Sequence, residues 1–182
     1  MVAIAPIVKR HWHPTPPAPA PAPEISAELP YAELKALAEQ VESLQHQGRY
    51  GESLPGARAL LRQHELHGRL VPEMLVDYAR MLNNAAFEAG VRAPRSSLER
   101  ITLERQSLEA CRSALAMAKT PREHSEAITM VGLVHEAWGF PYDAYLTYRA
   151  AVGTDPTYPE AKLHLEKFLR RLNPGPAPAS AR

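Results

Sequence analysis

Eight histidines are the residues of this chain whose side chains could bind a metal ion or transfer a proton. His11 and His13 flank Trp12, and a His-x-His pair of this kind binds a transition metal loosely. No third ligand follows at a fixed spacing, so the pair alone does not predict a metal site. A metal-dependent regulator that uses these two histidines is kept as a third hypothesis for the function.

Three of the remaining histidines, which are considered next, are expected to have structural roles. His64 and His67 lie near the end of a predicted helix, where a partly positive imidazole suits the terminal carbonyl groups. His135 lies where two predicted helices pack, which favours a packing role over that of a catalytic base. The sequence contains no Ser-His-Asp elbow, no phosphate-binding glycine loop and no His-Glu-x-x-His motif. We therefore expect a protein that is not an enzyme and that has no catalytic residue, cofactor or metal.

Composition limits the partners and the compartment. The single cysteine, Cys111, excludes an internal disulfide and a cysteine-based zinc site, and its place on an apolar helical stripe predicts a buried thiol. A net charge of +1 gives no general attraction to nucleic acid or anionic lipid. The longest apolar run is far shorter than the ~18 residues that cross a bilayer. We expect a cytoplasmic, bacterial protein with no nucleic-acid or membrane partner.

Eleven of the 18 prolines lie near the two ends of the chain, within residues 6–30 and 174–178. Residues 16–23 are mostly alternating proline and alanine, a composition that favours extended polyproline II and cannot bury a core. We expect residues 1–30 to be a disordered leader and linker, and 173–182 to be a disordered tail. The leader, residues 1–13, carries apolar and basic residues and Trp12, which predicts a contact with a second protein.

Residues 31–172 are predicted to be helical almost throughout. The first helix pair covers about 31–47 and 51–64, with Pro55 inside its second helix. The second pair begins near Pro72. Its turn after Gly90 is about fifteen residues longer than the turn in a helix-turn-helix repeat of about 34 residues. A capping box at 96–99 then predicts one long helix over about 97–119, and a closing helix is predicted over 159–172.

Charged and capping residues refine these helices. In the long helix, Arg100 and Glu104, like Arg105 and Glu109, are spaced four apart, which predicts a solvated face. A second capping box at 120–123 opens the third pair.

The densest pattern lies in residues 125–159. Small residues stand where two antiparallel helices would approach closely, and a glycine, an aromatic residue and a proline stand where the chain would turn. An Asp-Pro pair then ends the second helix. The residues that make up this pattern are Gly132, Gly139, Phe140, Pro141, Ala144, Tyr148, Ala151, Asp155 and Pro156.

On these residues the chain resembles the tetratricopeptide repeat (TPR) family, strongly over 125–159, moderately over 34–66 and weakly over 74–118. The resemblance implies an all-α fold, with three helix-turn-helix pairs and a closing C-terminal helix in a right-handed superhelix. It also implies a groove that receives a peptide or helix of another protein. Arg80 and Asn84 resemble a fragment of the clamp with which some members bind a terminal carboxylate, and the alternative is that Arg80 pairs with Asp77 or Asn84 on a solvated face.

The resemblance and the aromatic cluster together give the expected partner-binding residues. Trp138 and Tyr142 belong to that cluster and either pack in the core or form an exposed patch. The full set is Asp77, Arg80, Asn84, Phe87, Glu126, Thr129, Leu133, Glu136, Trp138, Tyr142, Lys167 and Arg170.

Two further hypotheses follow for the function. The first is an adaptor or scaffold that binds a partner protein. The alternative is a dedicated chaperone or a structural subunit of a secretion or assembly machine, with the long helix as an obligate interface. Specificity is expected where the repeat pattern breaks, which is in residues 90–109, in residues 138–142 and in the leader.

Overall fold

The computed structural model describes residues 28–92 and 98–173, and this part of the chain is entirely α-helical with no strand. The predicted leader, almost all of its linker, the tail after Asn173 and the capping residue Ser96 lie outside it. The seven helices are α1 (Tyr31–His46), α2 (Tyr50–Leu66), α3 (Pro72–Arg92), α4 (Leu98–Met117), α5 (Pro121–Ala137), α6 (Pro141–Thr154) and α7 (Pro159–Leu172).

Local sequence signals account for the helix ends. Proline is the first residue of α3, α5, α6 and α7, where the missing N–H would have no helical partner. The capping box before α5 is confirmed: the Glu123 amide donates to Thr120 Oγ1 at 3.2 Å, and Glu123 Oε2 accepts from the Thr120 amide at 2.9 Å. α2 continues through Pro55.

The turns inside the first and third helix pairs have the same structure. Gly48 follows α1 with a φ of 71°, and Gly139 follows α5 with a φ of 78°. The amide of the next residue then bonds back into the helix, from Arg49 to the Leu44 carbonyl and from Phe140 to the His135 carbonyl. Such a turn requires a left-handed residue, which explains glycine at both positions.

The largest core cluster joins α3, α4 and α5 through mostly small side chains. Cys111 is fully buried in it, as predicted, and burial raises the pKa of its thiol to about 12. The buried Ser107 hydroxyl donates to the Ala79 carbonyl at 2.8 Å and links α4 to α3. The cluster consists of Leu75, Val76, Ala79, Ala110, Cys111, Ala114, Ala127, Met130 and Val134.

Each helix packs against the next one along the chain, and α5 also packs against both α3 and α7. The start of α3 shares the core cluster with the end of α4, whereas the end of α3 meets the start of α4 at Gly90 and Arg100. These two helices are therefore antiparallel. Since α4 is also antiparallel to α5, α3 and α5 run in the same direction. α1 contacts α3 through side chains: the side-chain amide Nε2 of Gln45 donates to Met81 Sδ at 3.3 Å.

Glycines make room for side chains at two helix contacts. A Cβ on Gly132 would lie 2.5 Å from the ring of Tyr148. The predicted close approach of α5 and α6 therefore occurs where Gly132 lies beneath this buried ring. A Cβ on Gly56 would lie 2.6 Å from Val41 Cγ2, and this second close approach, between α1 and α2, was not predicted from the sequence.

We expect Gly132→Ala to lower the free energy of unfolding by about 1–3 kcal/mol, because the added methyl group must displace a fully buried ring. Gly153→Ala is the matched control: nothing lies within 4 Å of its added Cβ, and alanine is favoured there by about 0.5–1 kcal/mol. Urea unfolding followed by circular dichroism measures both. Equal effects of the two variants would contradict the packing described here.

Candidate partner-binding surface

A cleft of about 710 Å³ lies where the C-terminal ends of α3 and α5 meet the N-terminal part of α4, and we refer to it as the α3–α5 cleft. It brings together parts of two regions in which the sequence departs from the repeat pattern, the insertion after Gly90 and the turn after α5. Its lining residues are Asn83, Phe87, Gly90, Val91, Arg100, Ile101, Glu104, Glu136, Ala137, Trp138, Gly139 and Phe140.

Arg100 links the three helices at this cleft. Its Nε donates to Glu104 Oε1 at 2.6 Å, and its Nη2 donates to the carbonyl oxygen of Ala137, at the end of α5, at 2.8 Å. A guanidinium suits that position because the last carbonyl groups of a helix carry partial negative charge. Gly90 lets the arginine lie against α3, since a Cβ there would be 3.3 Å from Arg100 Cδ.

The prediction that Arg100 and Glu104 lie on a solvated face is wrong, because their side chains are only 17% and 8% exposed. Arg105 and Glu109 are exposed on the same helix. Five residues rotate a helix by about 140°, so pairs offset by five do not share a face. The spacing of four keeps the two residues of each pair on one face, whereas the offset of five places the two pairs on different faces.

Apolar side chains are exposed around the cleft. Phe87 is 74% and Val91 73% exposed, one turn apart on α3, and Ile101 and Phe140 are about half exposed. Phe87 and Val91 also line a second cavity of about 410 Å³, so they form a ridge between two depressions. Clusters of exposed large apolar side chains are typical of surfaces that bind other molecules, which makes this one a candidate binding surface.

Two buried polar atoms belong to residues that line the cleft. Asn83 Oδ1 and Trp138 Nε1 have no hydrogen-bond partner within residues 28–92 and 98–173. The first is an acceptor and the second is a donor only. Both atoms are closed to solvent, so an occupant of the cleft reaches them only if the side chains around them shift. Leaving such a group unpaired costs about 1–3 kcal/mol, which favours a shift that lets an occupant bond them.

The structure places Trp138 and Tyr142 in different environments. The sequence had left open whether the two residues pack in the core or form an exposed patch. Trp138 is partly buried, packs against the main core cluster and meets Phe140 edge to face at 6.0 Å between ring centroids. Tyr142 is 70% exposed at the start of α6. Trp138 therefore combines core packing with a place in the cleft wall, and Tyr142 is a surface residue.

A charged face spans α3, α5 and α7. Arg80 Nη1 donates to Asp77 Oδ1 at 3.0 Å, which is the pairing given as the alternative to a carboxylate clamp. Burial raises the pKa of Glu126, Arg80 lowers it, and Glu73 and Asp77 raise it further. The N-terminal end of this face therefore carries closely spaced carboxylates.

Glu136 connects the cleft to α6 and α7. Its Oε2 accepts from the Tyr148 hydroxyl at 2.8 Å, and its other oxygen pairs with Arg171. Burial and this contact raise the pKa of Tyr148. The ring of His164 stacks on Tyr148 at 5.9 Å between centroids, and burial, together with Lys167, lowers the pKa of His164.

The other expected partner-binding residues occupy several environments. Asn84 lines the second cavity beside Phe87. Thr129 is buried, and its hydroxyl donates to the Ser125 carbonyl at 2.7 Å, so little of it is available to a partner. Leu133 is half-buried and packs against the core, whereas Lys167 and Arg170 are exposed on α7.

The histidines considered for chemistry take separate positions. His135 Nδ1 lies 3.2 Å from Thr147 Oγ1 between α5 and α6, and His67 Nε2 lies 3.4 Å from Glu28 Oε1. His11 and His13 lie outside the described residues. Within the described ranges, no three His, Cys, Asp or Glu side chains are grouped so that they could hold a metal ion.

Comparison with known proteins finds no family model and no curated protein that matches this chain. In the part of the chain that the structure describes, no helix has the length and apolarity needed to cross a membrane. Any functional inference therefore depends on the geometry of the surface itself.

The sequence did not identify Asn83, Val91, Arg100 and Ile101 as members of the site. Val91, Arg100 and Ile101 fall within residues 90–109, where specificity was expected, so the break in the repeat pattern was a usable signal. Asn83 stands beside the named Asn84 on a regular helix, and nothing in its local sequence marks it. Its role depends on a neighbouring helix that is distant in sequence.

We expect stability to fall as pH decreases from about 7 through the lowered pKa of His164. The unfolded state binds a proton there more readily than the folded state, in which burial, Lys167 and Arg80 disfavour the charged ring, although Glu160 and Glu136 oppose them. His164→Gln should reduce this pH dependence in urea unfolding. His46→Gln, at an exposed position, is the control, and an unchanged slope in the His164 variant would contradict the assignment.

We expect Asn83→Leu to leave the free energy of unfolding unchanged or to raise it by up to about 1 kcal/mol, because it removes a buried acceptor that no described residue pairs. Asn84→Leu is the control. It makes the same chemical change one residue along α3, so it shows how much of the effect comes from the higher helix propensity of leucine. Thermal unfolding compares them. A larger loss of stability for Asn83→Leu would mean that its side chain already supports the folded state.

Proposed function

We propose that this chain is a helical-repeat adaptor that holds a segment of a partner protein in the α3–α5 cleft. The observation that carries the proposal is one cleft that combines exposed apolar side chains with a buried donor and a buried acceptor, neither of them paired within the described residues. Apolar contacts supply affinity, whereas the two polar atoms select a partner that can bond both.

Several features support a TPR-like arrangement for this adaptor. α5 packs against both α3 and α7, which are its neighbours at intervals of two helices, as first helices of successive repeats would. The glycine turns at Gly48 and Gly139 repeat the same local structure, which also follows α2 at Gly68. The cleft lies at the C-terminal ends of two such first helices, α3 and α5, and the second helix α4 completes its wall.

The chemistry favours an extended peptide segment over the middle of a helix. Inside a helix, each backbone N–H already donates to a carbonyl, so none is free to donate to Asn83 Oδ1, and each C=O has only its second lone pair left for Trp138 Nε1. An extended segment offers both kinds of group. Its apolar side chains would cover Phe87, Val91 and Ile101.

The paired substitution Phe87→Asp and Val91→Asp tests the cleft. With a tagged full-length chain and light crosslinking of a native lysate, we expect at least about a tenfold loss of captured partner, since two apolar contacts worth about 1.5–3 kcal/mol each are removed. Tyr31→Asp is the control, because Tyr31 is an aromatic residue of similar exposure on α1. Crosslinks should map to α3, α4 and the turn after α5.

Equal capture by the control and the doubly substituted chain would exclude the cleft as the binding site, provided that both unfold at the same temperature. A second candidate, an obligate subunit of a larger assembly, is favoured by the exposure of Leu98 and Ile101 on α4. Self-association of the isolated chain in size-exclusion chromatography would support that candidate, and a well-behaved monomer would support the adaptor.

A further inference from the structure

We propose that the leader of this same chain, residues 1–13, occupies the α3–α5 cleft, and that a partner segment must displace it. The inference rests on the proposed function, since it assigns an occupant to the same cleft. It follows from three observations: the chemistry of the cleft, the sequence of the leader, and the point at which the leader's linker joins the helical stack.

The leader has the chemistry that the cleft requires. Residues 2–8 read Val-Ala-Ile-Ala-Pro-Ile-Val, so apolar side chains of suitable size for Phe87 and Val91 follow one another. Pro6 lacks an N–H and disfavours helix at Ala5, which leaves neighbouring peptide groups without helical partners. Such groups can accept from Trp138 Nε1 and donate to Asn83 Oδ1.

The linker is long enough to reach the cleft. The Leu29 amide donates to Gln63 Oε1 at 3.1 Å, which places the start of the described chain beside the end of α2. From Pro72 to Phe87, α3 rises about 23 Å, whereas a fully extended segment with as many residues as 14–27 can reach about 46 Å. A tether of this length gives the leader a high effective concentration at the cleft.

Charge also favours this path. From the cleft, the chain must return along α3 toward Leu29, and the carboxylates of Glu73 and Asp77 near the start of α3 lie close to that of Glu126 on α5. Lys9 and Arg10 directly follow the apolar residues of the leader. They would approach these carboxylates as the linker leaves the cleft.

The experiment follows the indole N–H signal of Trp138 by NMR in the full-length chain. The sequence has two tryptophans, so Trp12→Phe leaves Trp138 as the sole source of this signal. A spin label is attached at Ile4→Cys, and mass spectrometry verifies that the buried Cys111 stays unlabelled. We expect the label to broaden the Trp138 signal at all protein concentrations, and the substitutions Phe87→Asp and Val91→Asp to restore it.

A matched control keeps the tether but removes the apolar leader residues, through Ile7→Ser and Val8→Ser in the labelled chain. Broadening should then disappear, and capture of the partner should increase several-fold because the competitor is lost. Undiminished broadening in this control, or none in the original chain, would overturn the proposal. Broadening that vanishes on dilution would overturn it as well, since the leader would then bind a second copy.

These outcomes separate the two proposals. If the leader does not reach Trp138 but capture of a partner still depends on Phe87 and Val91, the adaptor function stands and the intramolecular contact is excluded. If the leader broadens the Trp138 signal and no partner depends on the cleft, the contact stands and the adaptor function fails.

Discussion

The packing of α4 against both α3 and α5 is the constraint on which the rest of the structure depends. At one end of α4, small side chains such as Ala110, Cys111 and Ala114 let the helix approach both neighbours closely, and the Ser107 hydroxyl bonds the α3 backbone. At the other end, Arg100 and Glu104 take the place of these small residues. The long polar side chains link the helices without filling the space between them, and the α3–α5 cleft is what remains.

Local sequence signals were sufficient for the helices and their ends. Thr120 with Glu123 and the glycine at 139 act within a few residues, so their effects can be read directly from the chain. The contacts that build the cleft could not be read in this way. The bond from Arg100 to the Ala137 carbonyl joins residues 37 positions apart, and the helical spacing of Arg100 and Glu104 suggested a solvated pair. The break in the repeat pattern identified the region, whereas the roles of its side chains required the fold.

The unpaired atoms of Asn83 and Trp138 affect the free and the occupied states differently. In the free chain, each costs about 1–3 kcal/mol if nothing bonds it, which is a notable fraction of the 5–15 kcal/mol that stabilises a typical domain. An occupant that bonds both atoms removes this cost, whereas an occupant of the same shape that lacks a donor or acceptor does not. Discrimination then comes from hydrogen bonds in a sheltered site, and it is stronger than apolar contact alone provides.

Charged side chains contribute less to the binding of an occupant in the cleft than their number in its lining suggests. The charged residues that line the cleft are engaged within the chain: Arg100 with Glu104, and Glu136 with Tyr148 and Arg171. What the cleft offers to an occupant is therefore apolar surface and two neutral polar groups. The carboxylates near Glu126 lie toward the other end of α3, where exposed charges influence the rate and orientation of encounter more than the affinity. A segment with apolar residues followed by basic ones meets both requirements in the correct order along α3.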